Sequence, residues 1–326
     1  MKNIFIIIIL LFNFISYVKA DCYKKTPHVK KDFSHCVELA NKGDRSAQFN
    51  LGIMYFNGKG TTKDHKKAVK WWDKSAKQGD SQAQYTLGRM YVYGEGVTKD
   101  YKQALKWYKK SAVQGNAKAQ SELGLMYHKG IVAKQDYKQA VKWYKKSAAQ
   151  GNAKAQSNLG LMYENGKGIT QDYKQAVKWY RKSAVQGYHY AQFNLGFMYF
   201  NAEYYEQAMK LYKKSAAQGN AKAQYNLGLM YFDGMGTAKD YKQAMKWYKK
   251  SAEQGNATAQ YNLGLMYAYG EGTEKDYAVA YMYWSIASAL GDNDSKKSKA
   301  VVEKMMTSLQ IKKAQKLLRI WMNKSP

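Results

Sequence analysis

The chain has 326 residues, 45% apolar and 24% charged, with only two prolines. Such a composition excludes an intrinsically disordered chain and a proline-rich linker. The formal charge of +29 favours anionic partners and opposes self-association, so a monomer is expected.

The first predicted element is a leader. Lys2, the apolar run Ile4 to Ile15 and the small-residue pattern Val18-Lys19-Ala20 predict a secretory signal peptide over residues 1–20, cut after Ala20. The run is short for a bilayer span. Removing Lys2 and Lys19 with the leader leaves 29 − 2 = +27. The mature chain keeps Cys22 and Cys36, and an oxidising compartment predicts a disulfide between them. His28 and His35 lie nearby, but their spacing fits no common zinc pattern, and no metal or cofactor is expected.

The rest of the chain repeats itself. Cuts after Gly43, Gly79, Gly115, Gly151, Gly187, Gly219, Gly255 and Gly291 give seven pieces of 36, 36, 36, 36, 32, 36 and 36 residues. A period of this size predicts stacked supersecondary units that bury their apolar faces on one another. Each unit reads as two helices. In the third, Asn116 caps a first helix whose Ala119, Leu123, Met126 and Tyr127 share one face. Gly124 sits inside that helix, as do Gly52, Gly88, Gly160, Gly196, Gly228 and Gly264 in the other copies. Glycine there costs about 1 kcal/mol against alanine, so its recurrence predicts a close helix–helix approach. A second helix starts at Asp136, which forms a predicted capping box with Gln139, and turns Ala140, Trp143 or Tyr144, and Ala148 inward. Between the helices, Gly-x-Gly (Gly58-Lys59-Gly60, Gly94-Glu95-Gly96) predicts a turn with positive φ. A phosphate-cradling loop would need a preceding strand, and none is predicted.

Ala-x-x-x-Leu-Gly-x-x-Tyr, then Gly-x-Gly, then Asp-Tyr-x-x-Ala-x-x-Trp-Tyr-x-x-Ser-Ala-x-x-Gly-Asn resembles the Sel1-like repeat, a cousin of the tetratricopeptide repeat. The resemblance covers residues 44–291. A degenerate half-repeat or cap precedes it at 21–43, and a helical cap over 292–326 follows, with amphipathic stretches at Ser295 to Met306 and Leu309 to Met322 and a capping signal in Thr307 and Gln310. It implies an all-α protein: a right-handed α-solenoid superhelix with a concave face lined by the first helices. It also implies an exported bacterial member, periplasmic or secreted, acting in envelope assembly or host interaction. Unit five departs from the pattern. It lacks Gly-x-Gly and has Tyr204 where other units have Asp, so a shortened turn and a local change of curvature are expected.

Copies that agree elsewhere differ in a few columns of the first helix. These columns lie together at about 100° per residue and correspond to groove-lining positions in tetratricopeptide relatives. The partner-binding groove is therefore placed at Phe49, Ile53, Phe56, Tyr85, Arg89, Tyr93, Leu125, His128, Glu164, Phe193, Phe197, Phe200, Tyr225, Leu229, Phe232, Tyr261 and Tyr269. Aromatic grooves of this kind suit a protein or peptide partner. The second helices carry lysines spaced by four, as in Lys102, Lys106 and Lys110. Without stacking aromatics beside them, these stripes predict a solvated face with weak, non-specific contact to anionic polymers. Some exported cysteine-rich members of the family are described as weak β-lactamases. Here no serine of the mature chain precedes a lysine by three, the five histidines form no triad spacing, and a non-catalytic role is expected.

Overall fold

The computed structural model describes Cys22, residues 29–132 and residues 134–324. The leader over 1–20 and His28 lie outside them. Seventeen helices and no strand are found among the described residues: α1 (Val29–Asn41), α2 (Arg45–Asn57), α3 (His65–Lys77), α4 (Ser81–Tyr93), α5 (Tyr101–Val113), α6 (Ala117–Lys129), α7 (Tyr137–Ala149), α8 (Ala153–Asn165), α9 (Tyr173–Val185), α10 (His189–Asn201), α11 (Tyr205–Ala217), α12 (Ala221–Asp233), α13 (Tyr241–Ala252), α14 (Ala257–Tyr269), α15 (Tyr277–Ala289), α16 (Asn293–Met305) and α17 (Ser308–Lys324). The architecture is an all-α repeat solenoid of successive helix pairs. None of these helices is long and apolar enough to cross a membrane. The chain divides into two compact units at Ala176 and Val177, inside α9.

In the N-terminal unit α1 is the second helix of an incomplete repeat. Cys36, Ala40, Leu51 and Met54 are buried together with Cys22, and Cys22 and Cys36 are joined by a disulfide. Repeats one to three follow as α2/α3, α4/α5 and α6/α7, and the fourth begins with α8. The interhelical approach requires glycine. A Cβ on Gly124 would lie 2.7 Å from the Tyr144 ring, and one on Gly52 would run into the Trp72 indole. Consecutive aromatic positions in the second helix left the inward choice open. Tyr144 is fully buried, whereas Trp143 is half-buried.

In the C-terminal unit the pairs α10/α11, α12/α13 and α14/α15 repeat the arrangement. A Cβ on Gly228 would lie 2.6 Å from the Tyr248 ring. The two last helices cover α15. Trp321 of α17 meets the Tyr283 ring edge-on at 5.7 Å, and Val302 of α16 packs with Trp284. Thr307 and Gln310 form a reciprocal capping box: the Thr307 N–H donates to Gln310 Oε1 at 2.8 Å, and the Gln310 N–H donates to Thr307 Oγ1 at 3.3 Å.

A hydrogen-bond ladder runs through each unit. Gln120 Nε2 donates to the Ala112 carbonyl of the preceding second helix at 3.0 Å, and Gln224 Nε2 does so to Ala216 at 3.1 Å. Ser147 Oγ and Ser251 Oγ donate to Ala117 and Ala221 at 2.6 and 2.7 Å, tying second helix to first. Gln150 and Gln254 complete it by donating to Gln120 and Gln224. Buried polar groups need partners, and here the partners fix the spacing between helices.

The turns are held at both ends. Asp136 Oδ1 accepts the Gln139 N–H at 2.9 Å, while the Asp136 N–H donates to the Tyr127 carbonyl at 3.0 Å. The capping box predicted there is thus half a box, its other half replaced by a clamp from the first helix. The second glycine of Gly-x-Gly also leaves room for the neighbouring repeat. A Cβ on Gly168 would strike the Tyr137 carbonyl of the preceding repeat, at a φ of 69°. Repeat five has the shortened turn, Ala202-Glu203-Tyr204. Glu203 takes a φ of 64°, and no other non-glycine among the described residues has a positive φ.

Candidate functional site

Counting from the N-cap as position zero, the variable columns of the first helices are positions five, nine, twelve and thirteen. Their side chains do not form one uniform surface. Phe49 and Ile53 of α2 are core residues, 5% and 4% exposed, packed with Trp72 and Leu87, and Tyr85 of α4 is also buried. These three are corrected from groove to core: each ring or branched chain fills space against its own or the next second helix. Position twelve is partly committed as well. Phe56 stacks on His65 at 4.4 Å, Phe200 meets Tyr205 at 5.4 Å and Phe232 meets Tyr241 at 5.2 Å, each the first residue of the following helix. His128 is half-buried beside Tyr137 at 5.6 Å, with Nδ1 at 3.5 Å from the Tyr144 hydroxyl. Leu125, Glu164, Leu229 and Tyr261 are half-buried.

In the N-terminal unit the first helices present both charge and an exposed ring. Arg89 lies over the Tyr85 and Tyr93 rings at 6.0 and 5.7 Å, and Tyr93 is exposed. Lys154 pairs with Glu122 at 2.7 Å. Burial, then the Arg89 charge, depresses the Lys118 ammonium below the ordinary lysine range.

The C-terminal unit presents aromatics. Phe197 is 41% exposed and stacks on Phe193 at 6.3 Å, and Phe193 leans on Tyr212 at 5.9 Å. His189, Tyr190, Phe193, Asn194, Asn220 and Lys222 line a cavity of about 350 Å³. Tyr190, exposed and 4.0 Å from the His189 ring, was missed in the sequence. Its signal is Gly187-Tyr188-His189-Tyr190, where other repeats have a capping Asn or Asp after the glycine; Tyr188 makes no side-chain cap. Tyr225 leans on Tyr248 at 5.7 Å. Tyr269 is exposed and borders a second cavity, of about 290 Å³, with Leu265, Trp284, Val301 and Met305.

The lysine stripes differ from expectation. Lys74, Lys110, Lys146 and Lys250 stand over Trp71, Trp107, Trp143 and Trp247 at 4.2, 5.0, 5.0 and 4.7 Å. Aromatic rings do accompany the stripes, but the ammonium groups cover them. Among the described residues, no group of three or more His, Cys, Asp or Glu side chains is placed to hold a metal.

The sequence model of the Sel1 repeat matches residues 45–80, 81–116, 117–152, 153–188, 189–220, 221–256 and 257–292. Among solved structures, c5321, a protective antigen present in uropathogenic Escherichia coli strains and displaying an SLR fold, is 34% identical. The match covers 91% of this chain and 72% of that one, with a TM-score of 0.74. A Sel1 repeat protein from Oxalobacter formigenes is 33% identical over 82% of this chain and 79% of that one, with a TM-score of 0.66. No curated protein matches the chain.

Proposed function

The chain belongs to the Sel1 repeat family, and from that premise we propose that it is an exported, non-catalytic scaffold that binds a protein or peptide through outward side chains of its first helices. Sel1 repeats are generally non-catalytic scaffolds for protein binding. The observation that carries the reading is repeat five, where Tyr190 and Phe193 line a cavity of about 350 Å³ and the exposed Phe197 stacks on Phe193. Half-exposed aromatic anchors are the residues in which interface energy concentrates. Arg89, Tyr93, Tyr225, Phe232 and Tyr269 extend the surface within their own units. The disulfide supports an oxidising compartment outside the cytosol. The protective-antigen character of the Escherichia coli relative supports a role in host interaction or the envelope.

The test is a partner recovered by crosslinking in the native host and then titrated against variants. Phe197→Ala should weaken it at least tenfold and Lys106→Ala less than twofold. The reverse order would move the site to the second helices. That second reading has its own support in exposed stripe lysines such as Lys106 and Lys142, which no carboxylate approaches within ion-pair distance among the described residues. Turnover of a chromogenic β-lactam by the purified chain would favour the hydrolase alternative.

A further inference from the structure

Position twelve of a first helix commonly carries a ring. Phe56, Phe200 and Phe232 set theirs against the first residue of the following helix, at 4.4, 5.4 and 5.2 Å. In repeat seven the position holds Ala268, the smallest residue of the column, and the following helix begins with Tyr277. Ala268, Tyr277 and Trp284 all line the cavity of about 290 Å³. Trp284 is held in place. Its Nε1 donates to the Tyr261 carbonyl at 3.1 Å, and a Cβ on Gly264 would run into the indole. Repeat one shows the same corner filled. There Trp72 stands where repeat seven has Trp284, and Phe56 lies 5.6 Å from it and 4.4 Å from His65. Repeat seven keeps the tryptophan and omits the ring.

The far wall is α16, which begins like the first helix of an eighth repeat. Asp292 follows Gly291, and its carboxylate accepts the Ser295 N–H at 2.7 Å. No second helix closes it, because α17 packs on α15. Ala300, at the position where seven repeats have a buried glycine, is exposed. Val301 and Met305, at positions nine and thirteen, are exposed on the cavity wall, and so is Tyr269 of α14. The remaining charge at the cavity is positive: Lys275 and Lys297 line it, and no Asp or Glu does. Lys275 stands over the Tyr277 ring at 4.7 Å. Lys297 meets Asp294 at 3.4 Å, an exposed pair of the kind worth little. An exposed apolar patch with a polar rim marks an interaction site.

We propose that this cavity receives an aromatic side chain of the partner peptide, with an acidic residue beside it held between Lys275 and Lys297. This rests on the peptide-binding reading above and gives that partner its chemistry. The incoming ring takes the place that Phe56 fills in repeat one, against a preformed tryptophan wall. A volume of about 290 Å³ is near the lower end for small-molecule pockets, roughly 300 Å³, and suits one side chain. The two ammonium groups, unmatched by any lining carboxylate, select the neighbouring acid.

The test titrates the mature chain, at physiological salt, with a fluorescein-labelled hexapeptide that has one phenylalanine followed by glutamate among glycines and serines. Exchanging its phenylalanine for alanine should weaken binding at least tenfold, and its glutamate for glutamine at least threefold. Ala268→Phe restores the pairing of repeat one, so it should melt no lower than the parent and bind at least tenfold more weakly. Val301→Glu, at an exposed position, should do the same and reads the cavity even where Ala268→Phe fails to fold. Lys297→Met should weaken the glutamate peptide at least threefold and the glutamine peptide less than twofold. Lys106→Met, on a second helix, should cost less than twofold. Full binding by Val301→Glu or by a folded Ala268→Phe would overturn the seat, as would no saturable binding up to millimolar peptide. Equal losses for Lys106→Met and Lys297→Met would overturn it in favour of net charge. Displacement by 3-phenylpropionate at the peptide's own concentration would overturn the peptide in favour of a small aromatic acid. Self-association of the parent chain that Val301→Glu abolishes would overturn it in favour of a second copy. An authentic partner lost on Phe197→Ala but kept by Val301→Glu would remove the seat and leave the broader reading standing.

Discussion

The first helices of repeats two to four and of repeats six and seven share their framework and differ in how polar groups between them are satisfied. In the C-terminal unit Asn226 Nδ2 donates to the Tyr212 hydroxyl at 3.0 Å, and Asn262 bonds the hydroxyls of Tyr225 and Tyr248. These three phenols thus each find a partner in the asparagine at position six of a first helix. In the N-terminal unit position six holds Asn50, Thr86, Glu122 and Asn158, and there Asn50 Nδ2, Asn158 Nδ2 and the Thr86 hydroxyl, with the Ser121 hydroxyl at position five, are buried and unpartnered. The difference teaches a division of labour. Glycine, alanine, leucine, glutamine and serine columns build the repeat. Positions five, six and nine are free to vary: position five is buried in the N-terminal unit whether it is Phe49, Tyr85, Ser121 or Ser157, and is a half-buried ring at Phe193, Tyr225 and Tyr261 in the C-terminal unit.

Changes to the framework should act alike in both units, except at the edge that the disulfide ties. Replacing Cys22 and Cys36 by serine releases a loop whose sequence separation is 14, which removes about 3 kcal/mol in the chain-entropy view. Hydrogen exchange should show protection lost over α1 and α2 and kept over α12 to α14. Uniform loss along the chain would mean that the units are not energetically separate.

Gly124→Ala and Gly228→Ala come next. Alanine gains about 1 kcal/mol of helix propensity, but its Cβ would sit 2.7 or 2.6 Å from a buried tyrosine ring. Overpacking of this kind costs about 1–3 kcal/mol. Both variants should therefore unfold at lower urea, by similar amounts. A stabilised Gly228→Ala would show that the tyrosine can move and that the close approach is not required.

Partner binding is the third measure. Phe197→Ala should cost at least tenfold in affinity, about 1.4 kcal/mol, with the circular dichroism spectrum unchanged. Unfolding of that variant would make Phe197 core and break the contrast between the two faces.

Much of this was legible in the sequence. Periodicity located the repeats, capping residues located the helix starts, and a costly glycine in the same place in every copy announced a tight interface. Copies that diverge, however, reveal freedom to vary and not exposure. Phe49, Ile53 and Tyr85 vary like groove residues yet are buried, because Phe49 and Tyr85 at position five, and Ile53 at position nine of the first repeat, pack with aromatic rings of the second helices. Trp143 and Tyr144 differ by one 100° step, and helical periodicity alone could not choose between them. The second glycine of the turns at Gly96, Gly168, Gly236 and Gly272 presses on the preceding repeat, a neighbour invisible within a single period. The position-six column gains its meaning only from the tyrosine hydroxyls it serves, which periodicity does not place.

That column provides the fourth measure. Asn226→Ala leaves the Tyr212 hydroxyl buried and unpaired, which should cost about 1 kcal/mol or slightly more in urea denaturation. Ser121→Ala removes a hydroxyl that has no partner, so the unliganded protein should be unchanged or slightly more stable. If Ser121→Ala destabilises as much as Asn226→Ala, the hydroxyl is satisfied after all and the two units are alike.

The smallest effect concerns pH and the half-buried His128. Burial holds its imidazole below the usual histidine value of 6.5, and Lys167 and Lys129 push in the same direction. The folded state therefore favours the neutral ring, and the unfolded chain binds the proton more readily. The linkage has one sign: the contribution is complete above pH 6.5 and is lost as pH falls through the lower folded value. Melting of the N-terminal unit should thus decline between about pH 7 and about pH 5. His128→Gln, which cannot take up a proton, should flatten that decline by a fraction. The neutral ring also lies near the Tyr144 hydroxyl, so the variant will be somewhat less stable at neutral pH. The informative quantity is the slope and not the value at one pH. His65 is shifted downward chiefly by burial, with Glu95 and Asp64 opposing that shift, so His65→Gln should flatten the decline less than His128→Gln. A steeper decline in the His128→Gln variant would mean that the ring is protonated in the fold, and that a counter-charge reaches it from outside the position-twelve environment.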